Sequence, residues 1–167
     1  MMWAKHSPVA AIWAAAMFLI DQASKWFLVA LVDLDDAGTW PVTSFFSLTM
    51  AWNEGISYSL FATHKQGWLI ALSLCLVAFL WVWVVKATNR LQAVSLGLII
   101  GGALGNVFDR AWHGAVADFM HFHLPAQWGN WSWYIFNFAD VGIVAGVGLL
   151  LYDSFTEGRA SKRLGNA

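Results

Sequence analysis

The stretch Phe136-Asn137-Phe138-Ala139-Asp140-Val141-Gly142-Ile143-Val144-Ala145-Gly146-Val147 sets one carboxylate at the head of a long apolar run. A charge placed inside or at the lip of a membrane span is costly, and its default reading is functional. A second carboxylate, Asp118, stands upstream in Val116-Ala117-Asp118-Phe119. Two such groups meeting at one water-accessible site suggest acid–base chemistry.

The composition around these residues is that of a polytopic membrane protein. Of 167 residues, 59% are hydrophobic and 11% charged, and mean hydropathy is +0.59. Soluble domains carry about 25% charged residues. A net charge of −1 argues against a nucleic-acid partner. Many of the twelve Trp fall at the ends of apolar runs, where amphipathic rings favour the headgroup level. The lone Cys75 lies in an apolar stretch and reads as a small buried hydrophobe.

Four spans of about 9–32, 68–85, 93–108 and 134–152 approach the ~20 residues that cross a hydrocarbon core. Lys5, His6 and the run Val9–Ile20 look like the start of a signal peptide. Beyond Asp21 and Lys25, however, the sequence returns to Trp26-Phe27-Leu28-Val29-Ala30-Leu31-Val32, and the whole segment is long enough to span. The third span is short and Gly-rich, which suits a place among neighbours rather than against lipid. Lys5, Lys86, Arg90, Arg159, Lys162 and Arg163 fall on one side, which predicts that both termini are cytoplasmic. Segments 33–66 and 111–133 then face outside. Asp140 falls six residues into span four, roughly 9 Å at helical rise, so both carboxylates approach from the outer face. Pro41 and the β-branched and aromatic residues of 39–62 predict short strands on the membrane surface. Pro125–Trp133 reads as a Trp-rich loop.

Other polar residues need a reason. Asp21 and Lys25 stack at i, i+4 on one helix face. They form either an ion pair that lets the helix insert or the support of a polar site between helices. Asn53-Glu54-Gly55 reads as a turn entering a strand, with an Asx turn at Asn53 and unusual φ at Gly55. Gly102, Asn106 and Asp109 share a helix face, and Arg110 follows Asn106 at i+4. Helix packing with an Asp109–Arg110 snorkel explains part of this face, but not a buried Asn106. His113, His121 and His123 flank Asp118, yet their spacing matches no helical zinc motif, so no metal is expected.

In order along the chain, five blocks resemble the bacterial lipoprotein signal peptidases, the type II signal peptidases. They are Asp21 to Lys25; Asn53-Glu54-Gly55 with Ser59; Gly102-Ala103-Leu104-Gly105-Asn106 through Asp109-Arg110; Val116-Ala117-Asp118-Phe119; and Phe136-Asn137-Phe138-Ala139-Asp140. The resemblance implies an inner-membrane aspartic endopeptidase needing no cofactor. Its fold would be an all-α membrane protein of four transmembrane helices, with a small extracytoplasmic β-cradle between helices 1 and 2. Carried over by position, Asp118 and Asp140 are the catalytic dyad. Asn53, Gly55, Gly102, Asn106, Arg110, Asn137 and Ala139 support or line the site, and Asp21 with Lys25 is a structural polar pair. The implied partners are prolipoproteins carrying diacylglycerol on the lipobox Cys and cut just before it, membrane lipids, and globomycin-type inhibitors at the dyad. Two close carboxylates would share a proton and activate water without a metal.

The chain departs from the family's frequent Ala and Phe at Ser57 and Tyr58, which fall in the expected cradle and not at the dyad. It has no lipobox of its own, because Leu72-Ser73-Leu74-Cys75 lacks the small residue before Cys. A proton channel is the rival reading, but it predicts carboxylates spread along a pore from both faces.

Overall fold

A computed structural model describes residues 5–55, 65–129 and 131–164. Four of its helices are long and apolar enough to cross a membrane. Helix α1, Ser7–Trp26, starts with Pro8 in its first turn and runs on through a π-helical turn, Phe27–Leu31. A short helix, α2 (Leu34–Ala37), follows Asp33, whose φ of 50° lies in the left-handed region that Asp tolerates. The other long helices are α3 (Lys65–Val85), α4 (Arg90–His113) and α5 (Phe138–Leu164).

Helix α4 is the hub. The three other long helices pack on it, and it is the most buried of the four. Its glycines make this possible. A Cβ on Gly97 or Gly101 would run into the backbone carbonyl of Ala10 or Ala14 on α1, and one on Gly102 into the carbonyl of Ala139 on α5. These are close helix contacts of the kind that small residues permit in membranes. Ala10, Ala14, Leu80, Val84, Leu96 and Ile100 form the apolar core between α1, α3 and α4. The reading of Cys75 as buried is corrected. It lies on α3 and is exposed, because α3 touches little besides α4 and turns most of its surface outward. Trp26, Trp68, Trp112, Trp128 and Trp133 are likewise exposed, as a belt of interfacial rings requires.

Among the described residues the sheet has three antiparallel strands in the order β1 (Trp40–Pro41), β2 (Phe46–Asn53) and β3 (Val116–Phe122). It therefore does not lie wholly between the first two membrane helices as expected, since β3 arrives from the connection between α4 and α5. Between the pairs Leu48–Met120 and Ala51–Asp118, Thr49 and Met50 of β2 face the single Phe119 of β3, a bulge in the ladder. A second core of Leu28, Leu34, Phe119 and Met120, with Phe136 and Phe138 against it, ties the sheet to α1, α2 and the start of α5. The expectation of strands through residue 62, and Ser57, Tyr58 and Ser59 with it, falls partly or wholly outside the described residues.

Candidate active site

Helix α5 begins at Phe138, not near Tyr134. The residues before it are drawn onto β3, with Met120 N–H donating to Phe136 O at 2.8 Å and Phe136 N–H to Met120 O at 3.1 Å. Asp140 is thus in the first helical turn rather than six residues deep. Asn137 stands just before the helix and closes a reciprocal cap. Its Oδ1 accepts the Asp140 N–H at 3.0 Å, and Asp140 Oδ2 accepts the Asn137 N–H at 3.3 Å. The partial positive charge of the helix start also favours the Asp140 carboxylate.

The same Asn137 reaches Asp118. Its Nδ2 donates to Asp118 Oδ1 at 2.6 Å and to Asn106 Oδ1 at 3.1 Å. Asn106 Nδ2 in turn donates to Asp140 Oδ1 at 3.0 Å. Asn53 Nδ2 donates to Asp118 Oδ2 at 3.0 Å across the β2–β3 ladder. Each oxygen of each aspartate therefore receives an N–H. Three asparagines hold two carboxylates, and Asn137 touches both.

Partners that can only donate fix which way these amides point. Asn53 Oδ1 accepts the Gly55 N–H at 2.9 Å, so its NH2 turns to Asp118. Asn137 Oδ1 is held by the Asp140 N–H, and Asn106 Oδ1 by the Lys25 ammonium at 3.2 Å, so both NH2 groups turn to the aspartates. The expected Asx turn at Asn53 is present, and Gly55 has φ +89°. The turn follows directly on β2, which ends at Asn53, and the strand expected after it lies outside the described residues.

Asp118 is 3% exposed. Burial pushes its carboxyl up to about 6, and the nearby Asp140 charge adds to this; the bonds from Asn53 and Asn137 and the charge of Lys25 hold it down. At pH 7 the group is mostly ionised, yet its proton is within easy reach. Arg110 donates to Asn106 O at 3.3 Å and lies close enough to Asp118 and Asp140 to interact with both charges, while its Nε has no partner among the described residues.

Gly102 and Ala139 mark the α4–α5 contact nearest Asp140. At Gly105 a Cβ would meet the Asp21 carboxylate. Lys25 Nζ lies 2.7 Å from Asp21 Oδ2 and 2.8 Å from Asp109 Oδ2. The Asp109–Arg110 snorkel is therefore corrected: Asp109 turns inward to Lys25. Adjacent helical residues point apart, whereas Asp109 and Lys25 sit on facing helices. Gln22, which the sequence did not single out, joins them by donating to Asp109 Oδ1 at 2.9 Å.

The histidines have partners of their own. The His121 and His123 rings lie 5.3 Å from each other, His121 Nε2 lies 2.6 Å from Ser132 Oγ, and the His113 ring is 5.3 Å from that of Trp52. Among the described residues, no three His, Cys, Asp or Glu side chains gather as a metal site would require.

The comparisons with known proteins bear on what this geometry serves. Residues 13–156 match the model of one family, described as Signal peptidase (SPase) II. The chain belongs to the signal peptidase II family. It is thus an aspartic peptidase, and its four apolar helices make it a multi-pass membrane protein. A lipoprotein signal peptidase of Nitrobacter hamburgensis is 47% identical over 152 residues, covering 89% of this chain and 93% of that one. A lipoprotein signal peptidase of Methylorubrum extorquens is 49% identical over 144 residues, covering 83% and 81%. A bacterial membrane enzyme solved by the in meso method at 2.3 Å resolution shares the fold, with a TM-score of 0.76 at 22% identity over 95% of this chain and 94% of that one.

Proposed function

We propose that Asp118 and Asp140 form a catalytic dyad that activates water to remove the signal peptide from diacylglyceryl-modified prolipoproteins, cutting just before the lipidated Cys. The observation that carries this reading is Asn137, which donates its side-chain amide to Asp118 and its backbone N–H to Asp140. One residue thereby ties two carboxylates from two different elements to a common site. Two carboxylates so joined share a proton, because both ionise together only at a cost. The ionised member takes a proton from water, and the protonated member polarises the scissile carbonyl and then helps the leaving amine. The titration belongs to the pair. Asn53, Asn137 and Arg110 line the same site as donors to the dyad or to the substrate backbone, and Gly55, Gly102 and Ala139 shape the backbone around it.

The setting follows from charge and hydropathy. A single polytopic domain in the bacterial inner membrane, with Lys- and Arg-rich termini in the cytoplasm, puts the sheet and the dyad on the outer side. The substrate's acyl chains then remain in the outer leaflet while its peptide reaches the dyad, and a globomycin-type lipopeptide would compete for the same place.

The deciding experiment uses purified enzyme, a diacylglyceryl precursor and its unlipidated form. The lipidated form should be cleaved and the unlipidated form should not, cleavage should survive exhaustive chelation, and neither Asp118→Asn nor Asp140→Asn should cleave. Equal rates on both precursors would contradict lipid recognition, and cleavage by either variant would sink the dyad.

A further inference from the structure

We propose that Lys25, Asp21 and Asp109 are positioning residues for the dyad, one buried charge network that grips the chain one residue ahead of each aspartate and so fixes how Asp118 and Asp140 face one another. The inference rests on the dyad reading above.

Two contacts have the same form. Asp21 Oδ1 accepts the Ala139 N–H at 2.9 Å, and Ala139 immediately precedes Asp140. Asp109 Oδ2 accepts the Ala117 N–H at 3.2 Å, and Ala117 immediately precedes Asp118. Lys25 joins the two carboxylates, at 2.7 Å from Asp21 Oδ2 and 2.8 Å from Asp109 Oδ2. Its third ammonium contact is Asn106 Oδ1 at 3.2 Å. That contact turns the Asn106 amide so that its NH2 meets Asp140. Gln22 Nε2 closes the network, 3.1 Å from Asp21 Oδ2 and 2.9 Å from Asp109 Oδ1.

A pair that only neutralises a helix for insertion needs Asp21 and Lys25 alone. It does not need a carboxylate from α4, nor bonds from both acids to the backbone of β3 and α5. Asp21, Lys25 and Asp109 are at most 4% exposed, so these bonds are shielded from water and strong. Strand β3 and helix α5 carry the dyad on separate elements, and this network clamps both to α1 and α4. It also sets the local field. The charged groups that act on Asp118 are Lys25 from α1, Arg110 from α4 and Asp140 from α5. Lys25 is the member of the network whose charge favours ionised Asp118.

The test compares charge-preserving and charge-removing variants of the full chain in purified form, read on the lipidated precursor. Asp109→Glu keeps the charge and shifts the carboxylate by one methylene, and Lys25→Arg keeps the charge and changes the reach. Each should lower kcat about 10²-fold, the scale of a 1 Å misplacement, with KM within about threefold and the thermal midpoint close to that of the parent. Lys25→Met should move the upper limb of the pH profile of kcat/KM to higher pH. Parental kcat in both charge-preserving variants would overturn the proposal, as would a loss of kcat that only tracks a loss of folded protein. Where Lys25→Met does not insert, the two charge-preserving variants decide alone. Failure of the dyad itself shows differently, as cleavage by Asp118→Asn or Asp140→Asn.

Discussion

The two ends of α4 both bury aspartates, and they do so in opposite ways. At its start, Asp153 of α5 receives Asn89 Nδ2 at 3.1 Å on each oxygen and Gln92 Nε2 at 2.9 Å. Asn89 is also the cap of α4, its Oδ1 accepting the Gln92 N–H at 2.9 Å. Among the described residues, the neutral amides of Asn89 and Gln92 hold that carboxylate and fasten the start of α4 to α5. At the other end, Asp21, Asp109, Asp118 and Asp140 converge with Lys25 and Arg110. A single carboxylate among amides is a fastener. Several carboxylates gathered around an ammonium and a guanidinium, with Asp118 pushed up to about 6 chiefly by its burial, make a different kind of place.

Replacing the acids at each end tests that contrast most sharply. Asp118→Asn and Asp140→Asn should each lower kcat/KM by at least about 10⁴-fold, since acid and base roles are lost together, while the protein still inserts and purifies. Asp153→Asn, measured alongside, should leave kcat within about twofold. A large catalytic loss at Asp153 would erase the distinction between the two ends.

Gly102→Ala comes next. A Cβ there meets the Ala139 carbonyl, which is backbone and cannot rotate away. The α4–α5 contact must open beside Asp140, and kcat should fall about 10²-fold, with an overpacking cost of about 1–3 kcal/mol in unfolding measurements.

The pH dependence sharpens the electrostatic half of the contrast. The limb of kcat/KM that reports Asp118 should fall as pH rises through about 6. Asn53→Ala removes a bond that favours the ionised form, so its limb should lie at higher pH. The same shift touches stability. Asp118 holds its proton to about 6 when folded but only to 3.8 otherwise, so this group's contribution is greatest below 3.8 and is lost as pH rises through about 6. The smallest effect is at the fastener itself, where Asp153→Asn should cost about 1–3 kcal/mol in thermal unfolding.

Much of this site was legible because its residues fall in short ordered blocks. Helical spacing placed Gly102, Asn106 and Asp109 on one face, and block order brought Asn53, Asp118, Asn137 and Asp140 together. What spacing cannot show is a partner on another helix, and so Asp109 was assigned to its neighbour Arg110 instead of to Lys25. Strand β3 stayed hidden for a related reason. Its first five residues are all buried, so Val116-Ala117-Asp118-Phe119-Met120 lacks the alternation that marks a half-exposed strand. The cap at Asn137 did leave a signal, an Asn three residues ahead of an Asp at the head of an apolar run. It would have started α5 at Phe138 and lifted Asp140 into the first turn.

The extra residue in β2 between Leu48 and Ala51 acts as a change of phase. Along a strand, odd and even positions project to opposite sides, and opposed residues share a side. Leu48 pairs with Met120, and after the bulge Ala51 pairs with Asp118 and Asn53 with Val116. Even positions ahead of the bulge and odd positions beyond it thus project to the same side. An unbroken ladder from Leu48 would set Met50 opposite Asp118 and Trp52 opposite Val116, and Asn53 would project from the far side of the sheet. One inserted residue thereby decides whether Asp118 is met by an amide or by an indole.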